Sequence, residues 1–137
     1  FRSDQVVSKP AGISFEQASA LPVSGFAALQ AVRDRGEVAD GDRALVIGAS
    51  GGVGSFAVQI AKSFGAEVTG VCSTRNLDTV RSIGADRVID YVQEDFTQKG
   101  QRYDLIFDVG HQAYVHKILG IHAWHSLYFY LDISKKH

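Results

Sequence analysis

The sequence predicts an α/β fold, a doubly wound parallel sheet that is incomplete in its C-terminal half. Three observations predict it. Ala44-Leu45-Val46-Ile47 is a short continuous apolar run that ends in glycine, the look of a central parallel strand buried on both faces. Val53, Phe56, Ala57, Ile60, Ala61 and Phe64 then recur with helical period, and Gly65 stands at the stop position. Strand-like and helix-like segments go on alternating as far as Asp108, in the order β-α-β-α-β-β. Such alternation implies parallel strands joined by right-handed crossovers.

The elements follow in order. Val6 and Val7, before Lys9-Pro10-Ala11-Gly12, read as a short strand entering a turn. Ser14-Phe15-Glu16-Gln17 has the spacing of a capping box, with Gln17 reaching back to Ser14. Pro22 ends that helix or starts the next, because it lacks an N–H and fits a first turn. Val23 to Val32 suits a mostly buried helix, and polar Arg33 to Asp42 reads as a loop. Glu67 to Cys72 is strand-like. Asn76 is expected to cap a helix holding Leu77, Val80 and Ile83, which Gly84 ends. Val88-Ile89 and Tyr103 to Phe107 are the remaining strands, the last closed by Asp108. Beyond Gly110 the pattern weakens: Ala113 to Ile121 suits a helix, and Ser126 to Ile133 has strand composition.

A chain of 137 residues fits one domain with a hydrophobic core. A net charge of −1 argues against a nucleic-acid binder, which normally carries a basic face. No apolar run approaches a membrane span and no signal-peptide pattern is present. The single cysteine, Cys72, suits a reducing, cytoplasmic setting. The chain starts at Phe1 and has no methionine, so an excised or incomplete product is expected. All the histidines lie between His111 and His137, which sets residues 111–137 apart as an atypical tail.

The glycine loop carries the chemistry. It runs Gly48-Ala49-Ser50-Gly51-Gly52-Val53-Gly54, between the first strand and the first long helix. Gly51 lets the backbone come close to a phosphate, and Gly54 lets the helix pack tightly on the strand. N–H groups at the helix start have no helical partners, and with the helix dipole they attract an anion. The loop thus suits the pyrophosphate of a dinucleotide; the competing reading is a glycine turn used only for close packing. A Walker A loop is excluded, because no lysine lies between Arg43 and Ile60.

The end of the second strand points to the particular dinucleotide. An NAD-selective unit carries an acid there for the ribose hydroxyls. This chain has Cys72-Ser73-Thr74-Arg75. Hydroxyls and a guanidinium bind a 2′-phosphate that an acid would repel, so NADP(H) is the expected cofactor. The plainer reading of Arg75 is an exposed loop arginine.

Ser14 to Asp108 resembles the cofactor domain of the medium-chain dehydrogenase/reductase superfamily, in its zinc-independent quinone-oxidoreductase and enoyl-reductase-like branch. The matching stretches are Ser14 to Ala18 with Ala20-Leu21-Pro22, the glycine loop, Val71 to Arg75, Ile83 to Asp86 with Val88 to Tyr91, and Tyr103 to Gly110. The resemblance implies that Ser50, Gly52 and Val53 border the pyrophosphate. It implies that Ser73, Arg75 and Tyr91 surround the 2′-phosphate and adenosine, and that Asp108, Val109 and Gly110 lie beside the cofactor groove. Tyr91 reads equally well as a boundary aromatic covering the sheet.

The same resemblance frames what is unusual. Residues 1–13 match only the exit segment of an N-terminal catalytic domain that shapes the family's substrate cleft. The threonine that the family carries near the nicotinamide has no counterpart in Phe26-Ala27-Ala28. The segment after Gly110 departs from the family's continuation. Three functions stay open: a reductase-type fragment that binds NADPH but does not turn over substrate alone, a small oxidoreductase completed by a partner subunit, and a non-enzymatic protein that self-associates through its aromatic tail. A homodimer through the C-terminal segment belongs to the last. No catalytic residue is assigned and no metal site is expected; His122 and His125, three apart, are the weak exception.

Overall fold

The computed structural model describes residues 2–95 and 103–109. Among the described residues four strands form one parallel sheet: β1 (Arg43–Ile47), β2 (Glu67–Cys72), β3 (Arg87–Asp90) and β4 (Leu105–Asp108). Their order across the sheet is β3-β2-β1-β4. Parallel neighbours need a crossover, which helices α3 (Gly52–Ser63) and α4 (Leu77–Ser82) provide after β1 and β2. Two further helices, α1 (Phe15–Ala20) and α2 (Pro22–Leu29), precede the sheet.

Alternating strand residues feed two apolar clusters, which is why these strands read as continuous apolar runs. Ala44, Val46, Val68, Cys72, Leu105 and Phe107 pack with Ala28, Ala57, Val58, Ala61 and Val80 from the helices. Leu45, Ile47, Val71, Ile89 and Ile106 form the cluster on the opposite face. Gly70 makes the α4 approach possible: a Cβ there would lie 2.6 Å from Val80 Cγ1 and 3.0 Å from Ala49 Cβ.

Local signals operate as their residue types suggest. Ser14 and Gln17 form the reciprocal capping box, with N–H to side-chain distances of 2.9 and 3.1 Å. Pro22 opens α2. Gly65 leaves α3 at φ +86°, where a Cβ would also strike Asp40. Gly84, at φ +120°, turns the chain toward Asp86. Asp86 then accepts from Val68 N at 2.8 Å and from Lys62 Nζ at 2.7 Å, tying α3 and β2 to the start of β3. These bonds, the lysine's first, hold its carboxyl below the usual carboxylate range.

Three expectations need correction. Val6 is extended but neither it nor Val7 joins the sheet, and both stay exposed. Arg33 to Arg35 do not begin the loop. They finish a widened π-type turn, Gln30–Arg35, that buries Ala31 and Val32 and closes with Gly36 N on Ala31 O at 2.7 Å. Asn76 holds the N-cap position of α4 without capping it. Residues 110–137, with the helix and strand expected there, lie outside the described residues.

Candidate functional site

The C-terminal ends of the strands lie side by side. Ile47 is in register with Val71 and Asp108, and Cys72 with Asp90. From β1 the chain runs outward to β2 and β3 on one side, while β4 lies on the other. That change of direction is a topological switch point, and its crevice is where open α/β sheets bind ligands. A cleft of about 440 Å³ occupies it, lined by Ser24, Gly48, Gly51, Gly52, Val53, Gly54 and Val109. The volume is within the range of small-molecule sites.

The glycines build this cleft for different reasons. Gly48, at φ +80°, turns the chain off β1. A Cβ on Gly54 would sit 2.0 Å from Gly48 O and 3.1 Å from Ala49 Cα, so close packing of α3 on the loop demands glycine. Gly51 differs. Its φ of −76° and ψ of 175° suit any residue, and a Cβ would meet only Gly48 O at 3.4 Å. The fold therefore does not require glycine at 51. Gly51 is also the N-cap of α3 and has no side chain to satisfy the helix's first N–H groups. A phosphate oxygen brought to this bare helix start meets free donors and the positive end of a 12-residue helix. A dinucleotide's pyrophosphate fits the residues present.

The expected site residues divide. Gly51, Gly52, Val53, Gly54 and Val109 line the cleft. Ala49 does not: it is fully buried in the core, and its N–H donates to Val71 O. Ser50 is exposed at the loop's outer edge and is joined to Ser73 through Asn76. Thr74 is exposed, and its hydroxyl is engaged, donating to Asp90 Oδ2. Arg75 is exposed and makes no ion pair or side-chain hydrogen bond among the described residues. Tyr91 follows β3, half-exposed, with its N–H on Cys72 O. Asp108 is buried at the end of β4, and Val109 N–H donates to Ile47 O at 3.0 Å. Gly110 lies outside the described residues.

Two residues escaped the sequence reading. Ser24, in the first turn of α2, brings a hydroxyl to the cleft; an added Cβ on Gly52 would be 3.3 Å from its Oγ. A serine just after Pro22, on a helix about to pack against the glycine loop, is the signal that marks it. Asn76 is the other, and its identity suited a cap. Burial, then the nearby Asp90 carboxylate, pushes the Cys72 thiol up, so this strand-end cysteine stays a protonated packing group. Among the described residues no three His, Cys, Asp or Glu side chains converge as a metal-ligand set. None of the described helices is long and apolar enough to cross a membrane.

This sheet order with a glycine-lined cleft at the switch point defines a Rossmann-like nucleotide-binding unit. Comparison with known proteins gives its lineage. The family model described as zinc-binding dehydrogenase matches residues 52–123, just over half the chain, and the chain belongs to that family. Within the medium-chain dehydrogenase/reductase superfamily it falls in the quinone-oxidoreductase and enoyl-reductase branch. The Mus musculus protein named NAD(P)H oxidoreductase RTN4IP1, mitochondrial, is 41% identical over 112 residues, which are 77% of this chain and 28% of that protein. The chloroplast envelope quinone oxidoreductase homolog of Arabidopsis thaliana is 41% identical over 109 residues, covering 73% of this chain and 33% of the relative. The structure of the quinone oxidoreductase from Coxiella burnetii superposes with a TM-score of 0.76 at 35% identity, over 82% of this chain and 35% of that one. The chain thus spans about a third of the length of the relatives it matches.

Proposed function

We propose that this chain is the NADP(H)-binding part of a zinc-independent medium-chain oxidoreductase acting on quinones or enones, and that it does not turn over substrate alone. The observation that carries the reading is the cleft at the switch point, walled by Gly51 to Gly54 and opening on the uncapped start of α3. Gly51, Gly52 and Val53 would hold the pyrophosphate, with Ser50 between it and the 2′-phosphate. Ser73 and Arg75 would hold the 2′-phosphate, with Tyr91 beside the adenosine. Asp108, Val109 and Gly110 would border the nicotinamide half, where Ser24 adds a hydroxyl donor. When bound, the cofactor supplies the hydride. The chain's own residues would orient it; turnover also needs a closed, water-excluding substrate cleft, which in this reading further structure supplies. The relatives named as oxidoreductases are roughly two to three times as long. The single buried free thiol supports a reducing compartment such as the cytoplasm.

Thermal unfolding with and without ligand tests the reading. A ligand that binds the folded chain raises its Tm with concentration. NADPH is expected to raise it more than NADH at equal concentration, and no shift with either overturns the reading. The chain alone is expected not to oxidise NADPH when offered a panel of quinones and enones; turnover would overturn the second half of the proposal.

Self-association has one observation in its favour. Phe15, Val23 and Phe26 are 64–86% exposed on α1 and α2, apolar surface that association would cover. In this reading the aromatic segment from Trp124 to Leu131, which lies outside the described residues, would take part in the association. Sedimentation equilibrium tests it: a monomer at all concentrations sinks the dimer.

A further inference from the structure

Asn76 occupies a helix-cap position without acting as a cap. Its side chain leaves α4 and crosses to the glycine loop, where Nδ2 donates to Ser50 Oγ at 3.3 Å and to Ser73 Oγ at 3.1 Å. One amide thereby joins the loop after β1 to the loop after β2. Among the described residues neither hydroxyl has a second partner. A serine hydroxyl has one hydrogen and two lone pairs, and an amide nitrogen has two hydrogens and no acceptor role. With a lone pair on each serine engaged by Asn76, both O–H hydrogens are left for an outside acceptor. Arg75, the residue before Asn76, adds an exposed guanidinium without a described partner. The neighbouring acid does not compete: Asp90 is buried, its oxygens accepting from Thr74 Oγ1 and Val92 N.

We infer that Asn76 is a positioning residue for cofactor choice: by donating to Ser50 and Ser73 it makes both hydroxyls outward donors, which with Arg75 select the 2′-phosphate of NADP(H). The inference deepens the function proposed above and rests on that reading for the identity of the ligand. An aspartate at 76 reverses the logic. Its carboxylate takes the hydrogens of both serines and adds negative charge where the phosphate would sit.

The test is a titration of the wild-type chain, Asn76→Asp and Asn76→Ala with NADPH, NADH, 2′,5′-ADP and 5′-AMP. N76D is expected to weaken NADPH and 2′,5′-ADP roughly ten- to a hundredfold, the range of losing charge-assisted hydrogen bonds, and NADH and 5′-AMP less than about threefold. N76A, which frees the serines without adding charge, is expected to fall between, and it answers the question if N76D does not fold. Equal losses for the phosphorylated and plain ligands, or no loss for any, would overturn the inference and leave Asn76 a structural tie. A wild-type chain that prefers 2′,5′-ADP to 5′-AMP yet binds neither dinucleotide would sink the functional reading while keeping this one. A wild-type chain that binds the two mononucleotides equally would sink this one.

Discussion

Gly54 and Gly51 differ by three positions and are expected to fail in opposite ways when replaced by alanine. A methyl at 54 would lie 2.0 Å from Gly48 O and 2.8 Å from Gly48 C. Real Cβ contacts stop near 3.0 Å, so the backbone must part by about 1 Å. That backbone is the stiff end of β1, at a residue already committed to φ +80°. Overpacking of this kind costs ~1–3 kcal/mol, and an unyielding backbone neighbour puts Gly54→Ala at the upper end. The better helix propensity of alanine returns up to about 1 kcal/mol, leaving a net loss near 2–3 kcal/mol. For a domain of this size the Tm should fall by roughly 6–10 °C. Gly51→Ala meets no such obstacle; alanine is only the poorer N-cap, by roughly 0.5–1 kcal/mol, so its Tm should fall by no more than about 4 °C. Its methyl, however, borders the cleft beside the bare helix start, so dinucleotide affinity should drop at least roughly tenfold. Calorimetry of the two variants, followed by NADPH titration of Gly51→Ala, reads both effects. A Gly54→Ala protein as stable as wild type would refute the packing argument. A Gly51→Ala protein with unchanged affinity would refute the claim that a ligand, and not the fold, requires that glycine.

Other outcomes follow from the same geometry. Arg75→Glu should weaken NADPH about ten- to a hundredfold and NADH far less, and equal losses would show that Arg75 does not read the 2′-phosphate. Asp86 has a folded pKa below its unfolded value, so its contribution is present above about pH 4 and is lost as pH falls through the folded pKa. Asp86→Asn keeps an acceptor for Val68 N–H and loses the Lys62 charge pair. It should cost less than about 1 kcal/mol at neutral pH, since the pair is partly solvated, and should flatten the acid limb of Tm against pH; an unaltered acid limb would contradict this. Cys72 should resist a thiol reagent at neutral pH until guanidinium unfolds the chain, whereas rapid labelling of the native protein would contradict its burial.

What the sequence makes legible here is local. Runs such as Ala44 to Ile47 are apolar because both sheet faces are covered, and stops such as Gly65 need a backbone angle that other residues avoid. Ser14 and Gln17 satisfy each other within one turn. The readings that changed depend on contacts between distant residues. Val6 and Val7 have strand composition, but composition alone supplies no pairing partner. Arg33 to Arg35 are polar yet helical, because burial of Ala31 and Val32 on the preceding turn carries the helix past them. Asn76 satisfies Ser50, 26 residues away, in place of its own helix start. Thr74 turns to Asp90 on the next strand, and Ser24 reaches the cleft only because α2 packs beside α3. The glycine loop was readable because strand, turn and helix are contiguous in the chain. Ser50, Ser73 and Thr74 were readable as residue types, but which hydroxyls meet was not, since three elements must fold together first.

The central claim is that this chain holds NADPH in the cleft at the β1–β4 switch point. Titrating the full chain with NADPH and with NADH, following nicotinamide fluorescence, tests it most directly. Saturable binding of both, tighter for NADPH, is the expected result. Absence of saturable binding for either dinucleotide would contradict the account.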